Sequence, residues 1–138
     1  MKRILTAAAL TAITAGSAFA AAHSMTPMVE ASNQTVENGV VSAEMVTAGE
    51  NGWLVVHRTD SEGKPGPVVG HAPLRMGENT DVAAILTEEV AAGDMLMLMV
   101  HSEAGGNSTG IFEYTLGATE DGPIKPDGNL VMKTITVE

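Results

Sequence analysis

The most regular alternation in the chain is Met95-Leu96-Met97-Leu98-Met99-Val100-His101-Ser102. Successive side chains of a β-strand point to opposite faces, so this stretch places its methionines and His101 on one face and its leucines on the other. A strand that is apolar on both faces is typical of the middle of a buried sheet. We therefore predict a central strand at residues 95–102 and expect the other segments to pack around it.

Short segments rich in Val, Ile, Leu, Thr and Met flank this strand and are separated by turn residues. Gly and Asn tolerate positive φ and Pro presets a turn, so this punctuation favours short strands. The pair Asn38-Gly39 predicts a two-residue hairpin turn. The predicted strands cover residues 29–36, 40–46, 52–58, 68–72, 80–86, 95–102, 111–116 and 131–137.

This pattern predicts an all-β domain, specifically an immunoglobulin-like β-sandwich of about seven or eight short strands. A small barrel is the main alternative. Residues 80–92 leave a local choice open, because Ala83, Ala84 and Glu88 are good helix formers behind a possible N-cap at Thr80. We favour a strand there.

The first twenty residues have the order of a secretory signal peptide: two basic residues, an apolar stretch, and the small residues of Ala18-Phe19-Ala20. We expect cleavage after Ala20, a flexible leader over residues 21–28 and a folded domain over residues 29–138. No later apolar stretch approaches the ~20 residues of a membrane-spanning helix. We therefore expect a periplasmic or secreted protein that is not inserted in the membrane after the signal peptide is removed.

The composition excludes several classes of function. The 138 residues carry 7 basic and 17 acidic side chains, a formal net charge of −10, so nucleic acid would be repelled and cations are the favoured charged partners. Cysteine is absent, which excludes disulfide bonds, thiolate nucleophiles and thiolate ligands for zinc or type 1 copper. Only Trp53, Phe112 and Tyr114 are aromatic after the signal peptide, too few for a platform that stacks bases or sugars.

The strand face that carries the methionines and His101 raises a chemical hypothesis. Thioether sulfur suits Cu(I), and imidazole suits Cu(I), Cu(II) or Zn, so we consider a folded copper site formed by His57, Met99 and His101. Such a site requires histidines close enough to share an ion at bonds of ~2 Å. Core packing is the competing interpretation, because methionine fills irregular gaps in cores. Buried methionines favour packing, and exposed ones favour a role as ligand.

The predicted mature terminus, Ala21-Ala22-His23, offers a second copper hypothesis. A free amine, two amide nitrogens and one imidazole nitrogen form the square-planar nitrogen set that Cu(II) and Ni(II) prefer. Met25 and Met28 lie close to His23 in the sequence and could add soft ligands. We therefore include His23, Met25 and Met28 among the candidate metal ligands.

One stretch, Gly106-Asn107-Ser108-Thr109-Gly110, matches the Gly-x-Ser-x-Gly motif of serine hydrolases. In those enzymes the serine lies on a sharp turn between a strand and a helix. Here the segment that follows, residues 111–116, alternates like a strand. We therefore interpret the glycines as a loop between strands and predict that the protein is not an enzyme.

Five ordered motifs extend over most of the chain. They are Gly52-Trp53-Leu54-Val55-Val56-His57, Pro65-Gly66-Pro67-Val68-Val69-Gly70-His71-Ala72-Pro73-Leu74, Gly77-Glu78-Asn79-Thr80-Asp81-Val82, Leu98-Met99-Val100-His101 and Gly110-Ile111-Phe112-Glu113-Tyr114. Together they resemble a family of unknown-function β-sandwich domains found in exported or surface proteins and lipoproteins of halophilic archaea and of bacteria. The resemblance covers roughly residues 29–137.

The resemblance implies a β-sandwich, a strand rather than a helix at residues 80–86, and a location outside the cytoplasm. It places His57 and His101 at recurrent positions and implies no reaction. This chain departs from the family pattern by lacking a cysteine for a lipid anchor and by its additional methionines, Met95 and Met97.

Two functions follow as hypotheses. The first is a non-enzymatic extracytoplasmic module without a cofactor, which binds an unidentified protein or small ligand or serves a structural role. The second is a periplasmic copper-binding protein whose candidate ligands are His23, Met25, Met28, His57, Met99 and His101.

Overall fold

The computed structural model describes residues 25–138, so the predicted signal peptide and His23 lie outside the described residues. Within this range the chain forms seven β-strands and no α-helix, which confirms the all-β prediction. The strands are β1 (Met28–Glu30), β2 (Val40–Ala48), β3 (Gly52–Thr59), β4 (Val68–Leu74), β5 (Gly77–Leu86), β6 (Met95–Ser102) and β7 (Met132–Thr136). No helix in the described part is long and apolar enough to cross a bilayer.

All seven strands belong to one antiparallel sheet with the order β1-β2-β5-β4-β3-β6-β7. The ends of this sheet meet, because Gln34 after β1 forms a parallel bridge with Val137 after β7. The N–H of Glu138 also donates a 3.0 Å hydrogen bond to the carbonyl of Gln34. The domain is thus a single, nearly closed sheet, and the finer prediction of an immunoglobulin-like sandwich is not confirmed.

The strands turn one face toward a common apolar core. In β2 and β5, for example, Val41 lies opposite Ala84 and Ala43 opposite Val82, and all four are buried. Burial of apolar surface is the dominant favourable contribution to folding, so it determines which face of each strand points inward. The leucine face of β6 enters this core. The methionine face of β6 therefore points to the opposite side of the sheet.

The contested segment at residues 80–92 contains no helix. Strand β5 extends to Leu86, and its alternating residues Val82, Ala84 and Leu86 are buried in the core. This period of two matches the strand pattern, so the strand prediction is confirmed. The first strand begins at Met28, the last residue of the predicted leader.

The predicted strand at residues 111–116 is wrong. No strand forms there, and both edges of the adjacent β6 are already occupied, one by β3 and the other by β7. The alternation of Phe112 and Tyr114 instead serves to place two aromatic rings over the outer face of the sheet. We call residues 103–123, which lie beside this face, the cap segment.

The Asn38-Gly39 turn is confirmed. Asn38 has φ 52° and Gly39 has φ 67°, the left-handed conformations that a two-residue hairpin turn requires. The N–H of Val40 donates a 3.1 Å hydrogen bond to the carbonyl of Glu37 across the turn.

Candidate functional site

The outer face of β3 and β6 carries a buried row of chemically distinctive side chains. The register of the two strands pairs Trp53 with His101, Val55 with Met99, and His57 with Met97. All six side chains are buried, although none of the four sulfur- or imidazole-bearing ones belongs to the main core. They form a second, smaller layer between the sheet and the cap segment.

His57 and His101 meet at the centre of this layer. Their Nε2 atoms are 3.3 Å apart, while their ring centroids are 5.4 Å apart. The two nitrogens therefore lie between the ring centres, and the rings meet end to end rather than face to face. The exposed fraction is 0% for His57 and 1% for His101. The sequence-based requirement that two histidines lie close enough to share an ion is met.

The outer nitrogen of each ring is bound to a backbone carbonyl. His57 Nδ1 lies 2.8 Å from the carbonyl oxygen of Gly66, and His101 Nδ1 lies 2.6 Å from that of Asp121. Since a carbonyl oxygen only accepts, each Nδ1 carries the proton and donates it. A neutral imidazole has one N–H, so both Nε2 atoms are left as acceptors whose lone pairs face each other.

Counting protons leads to the same conclusion. Three contacts lie in series: carbonyl to His57, His57 to His101, and His101 to carbonyl. Each needs one proton to be a hydrogen bond, but two neutral rings supply only two. The contact between the Nε2 atoms is the one left without a proton, so the arrangement lacks one positive charge at that point.

Burial makes an additional proton costly there. Desolvation lowers the pKa of His57 below its usual value, against a smaller opposing effect from the Gly66 carbonyl. Desolvation also lowers the pKa of His101 to about 4, assisted by the proximity of His57 and opposed by the carbonyl of Asp121. Both rings are therefore neutral at pH 7, which leaves both Nε2 lone pairs free of protons.

Asp121 fastens the cap segment to this pair. Its buried carboxylate accepts hydrogen bonds from the N–H of Ala104 at 3.1 Å and from the N–H of Glu113 at 2.8 Å, while its carbonyl accepts from His101. It adopts a left-handed conformation, φ 43°. One residue thus joins both ends of the cap segment and orients one histidine ring.

We expect Asp121→Ala to lower the free energy of unfolding by about 3 kcal/mol, because two half-buried backbone N–H groups lose a charged acceptor. Urea unfolding measures the loss, and limited proteolysis should show new cleavage within the cap segment. Asp127→Ala is the matched control, since Asp127 is exposed and has a similar left-handed conformation, φ 55°. Equal stability of the two variants would contradict the role given to the Asp121 carboxylate.

Aromatic rings enclose the histidine pair on the cap side. Tyr114 packs edge to face against His101, with ring centroids 4.6 Å apart, and more distantly against His57 at 5.9 Å. Phe112 contacts Trp53 at 5.5 Å. The indole N–H of Trp53 is buried without a hydrogen-bond partner in the described part of the chain. The shell around the imidazoles on this side is therefore mainly aromatic.

Two methionines, Met97 and Met99, belong to this layer. Met99 was a candidate ligand, and it lies opposite Val55, between the two histidines along the strands. Met97 was not among the candidates, yet it lies directly opposite His57. The alternation that selected Met99 also places Met97 on this face, so the signal was present. Both are buried, which by the criterion set from the sequence favours packing.

The remaining candidate residues lie elsewhere. Met25 and Met28 are exposed, and β1, which contains Met28, is not paired with β3 or β6. His23 lies outside the described residues. His71 is exposed on β4 and stacks on Phe112 with centroids 4.4 Å apart. The structure thus brings together His57, Met99 and His101 and separates them from the described leader residues.

Acidic side chains do not complete this site. Within residues 25–138, no group of three or more His, Cys, Asp or Glu side chains is arranged to hold a metal ion. The serine of the hydrolase-like motif, Ser108, lies on an exposed loop where its N–H donates to Glu113.

A family model described as a domain of unknown function (DUF7282) matches residues 27–138. No curated protein and no solved structure matches the chain.

Proposed function

Because the chain belongs to the DUF7282 family of domains of unknown function, we propose its function from its own residues: it is an extracytoplasmic, non-enzymatic module that binds one transition-metal ion between His57 and His101. The observation that carries this proposal is the 3.3 Å separation of two Nε2 atoms whose Nδ1 atoms both donate to carbonyls.

The geometry fits a shared ion. At bond lengths of about 2 Å, two nitrogens 3.3 Å apart subtend an angle of about 110° at the ion, close to tetrahedral. Because the rings meet end to end, such an ion lies to one side of the line between the nitrogens, and each ring tilts toward it on binding. Histidines that ligate metals usually donate their other N–H to a carbonyl or carboxylate, which fixes the tautomer and orients the ring. Gly66 and Asp121 supply such carbonyls here. An ion also provides the positive charge that the contact lacks.

The non-enzymatic part of the proposal is supported by what surrounds the pair. In the described part of the chain, the hydrogen-bond partners of the two rings are two backbone carbonyls and each other. An imidazole that acts as a general base needs a nucleophile or a water within hydrogen-bond reach. These rings instead face each other inside an apolar layer, an arrangement suited to holding a ligand.

The location outside the cytoplasm is supported by the order of basic, apolar and small residues in the first twenty positions. The absence of cysteine is compatible with this location, because the apolar core packs without disulfide bonds. The mature domain would then meet metal ions in the periplasm or the medium.

Metal titration of the purified exported protein tests the proposal. A His23→Gln background removes the amino-terminal nitrogen site, and the probes are Zn(II), Ni(II) and anaerobic Cu(I). We expect one ion per chain for at least one probe and a loss of affinity beyond about 100-fold in His57→Gln/His101→Gln, since even outer-shell changes cost about 10- to 100-fold. His71→Gln, which alters an exposed histidine of a neighbouring strand, should bind as the parent does.

The intrinsic fluorescence of Trp53, the only tryptophan, gives an independent readout because this residue lies opposite His101. Binding should change its emission in the parent but not in His57→Gln/His101→Gln. If none of the three ions binds, or if binding survives in the double variant, the proposal is wrong.

A further inference from the structure

We infer that the ion held by His57 and His101 is Cu(I), with the thioether sulfur of Met97 or Met99 as a third ligand. This inference rests on the proposed function and specifies its ligand. Three observations lead to it: the charge of the site, the position of the sulfur atoms, and the character of the enclosing shell.

The charge of the site favours a monovalent ion. The layer around the pair offers two neutral imidazoles and two thioethers, and the carboxylate of Asp121 is directed to the N–H groups of Ala104 and Glu113. The cost of burying a charge grows with its square, and buried divalent ions are usually compensated by anionic ligands. Zn(II) would keep both of its charges here. Cu(I) supplies the single positive charge that the Nε2 contact lacks.

The sulfur atoms lie on the correct face and in the correct rows. Met97 is directly opposite His57, and side chains in such pairs have Cβ atoms about 5 Å apart. Met99 occupies the next row, between the two histidines. Thioether sulfur is a soft ligand that selects Cu(I) over harder divalent ions. Both methionines are buried on the face that carries the two histidines, and neither belongs to the main core, which contains the leucine face of β6.

The enclosing shell disfavours the divalent form of copper. Cu(II) prefers a tetragonal set of nitrogen and oxygen ligands. Tyr114 and Phe112 cover the pair with ring faces and edges, and Trp53 completes the layer from β3. Both imidazoles are buried beneath these rings, so the groups that cover them are aromatic rings rather than oxygen ligands. The site therefore offers few ligands, all of them neutral and soft or borderline.

Substitution distinguishes ligation by the methionine sulfur from the competing interpretation, in which both methionines serve packing alone. Met→Leu preserves volume and apolar character, so packing is largely retained while the sulfur is removed. Met132→Leu is the matched control. Met132 is exposed on β7, where it pairs with Met99, and β6 separates it from β3.

The experiment measures Cu(I) affinity under anaerobic conditions against a chromophoric Cu(I) chelator, and Zn(II) affinity in parallel, in the His23→Gln background. We expect Cu(I) to bind more tightly than Zn(II). Met97→Leu/Met99→Leu should weaken Cu(I) by at least about 10-fold while leaving Zn(II) within about twofold, and Met132→Leu should change neither. X-ray absorption of the Cu(I) complex should show sulfur and nitrogen neighbours in the parent and nitrogen alone in the double leucine variant.

The outcomes distinguish the inference about Cu(I) from the proposed metal-binding function. If Zn(II) binds as tightly as Cu(I), or if Cu(I) binding and its absorption spectrum are unchanged in the double leucine variant, the inference is overturned while metal binding by the histidine pair stands. If no ion binds, both the inference and the proposed function fail.

Discussion

Gly52→Ala is expected to destabilise the protein by about 3 kcal/mol or more, because overpacking against fixed backbone cannot relax locally. Gly52 begins β3, and a Cβ atom built on it would lie 2.2 Å from the carbonyl oxygen of His101. To admit even one methyl group, β3 and β6 must move apart at this end. Because Gly52 pairs with Ser102, next to His101, the displacement should reach the histidine pair.

Thermal and urea unfolding of the purified variant measure the effect, with the emission of Trp53 as the spectroscopic probe. Gly49→Ala is the matched control: it lies in the preceding turn, where an added Cβ would have its nearest contact, Pro27 Cγ, at an ordinary 3.9 Å. The control should unfold within about 0.5 kcal/mol of the parent, as surface substitutions usually do. If Gly52→Ala matches the control, the close approach of β3 and β6 is not needed for the fold.

Acidification from pH 7 to pH 4 should remove about 3 kcal/mol of stability from the metal-free protein through His101 alone. In the unfolded chain the histidine pKa is near 6.5, whereas burial lowers the pKa of folded His101 to about 4. Between these values the unfolded state binds more protons than the folded state, so stability rises with pH. It is fully present above pH 6.5 and is lost as the pH falls toward 4.

His57, whose pKa is also lowered by burial, should add to this loss. Urea unfolding with a chelator present, at pH 7.0, 5.5 and 4.0, measures the total. The same series on His57→Gln/His101→Gln subtracts the contribution of other groups. Asp94 adds little in this range, because hydrogen bonds from Ala91 and Arg58 lower its pKa and its stabilising effect is lost only below about pH 4.

A direct titration of the parent protein tests this prediction even if the double variant does not fold. Nuclear magnetic resonance of the imidazole protons in the parent protein should show His101 still neutral at pH 5.5. Titration of His101 near pH 6.5 in the folded protein would show that the pair is hydrated.

The strands that the sequence predicts correctly are those whose own residue pattern is enough to specify an extended conformation. Residues 95–102 and 80–86 form strands because an alternating apolar face can be buried only in an extended conformation. The segment at residues 111–116 alternates in the same way, yet it caps the sheet. Its pattern reflects the burial of Tyr114 and the half-burial of Phe112, and it does not show whether a free strand edge is available for pairing.

The site was predicted in part for a similar reason. Composition and alternation selected His57, Met99 and His101, but the two histidines are 44 positions apart in the chain. Their contact depends on the register of β3 with β6 and on the register shift between Val56 and His57 in the pairing of β3 with β4. The alternation already places Met97 on the same face as Met99, but only this register shows that Met97 lies opposite His57.

The amino-acid sequence by itself determined the all-β class, the turn at Asn38-Gly39 and the apolar faces of the main strands, because these depend on backbone preferences and on a period of two that neighbouring residues carry. Only the tertiary structure decided that one sheet nearly closes on itself and that two imidazole nitrogens meet 3.3 Å apart. Those features arise from pairing between segments that are distant in the sequence. The backbone carbonyl that accepts a hydrogen bond from each Nδ1 also comes from outside the strand that carries the ring, so no local pattern predicts it.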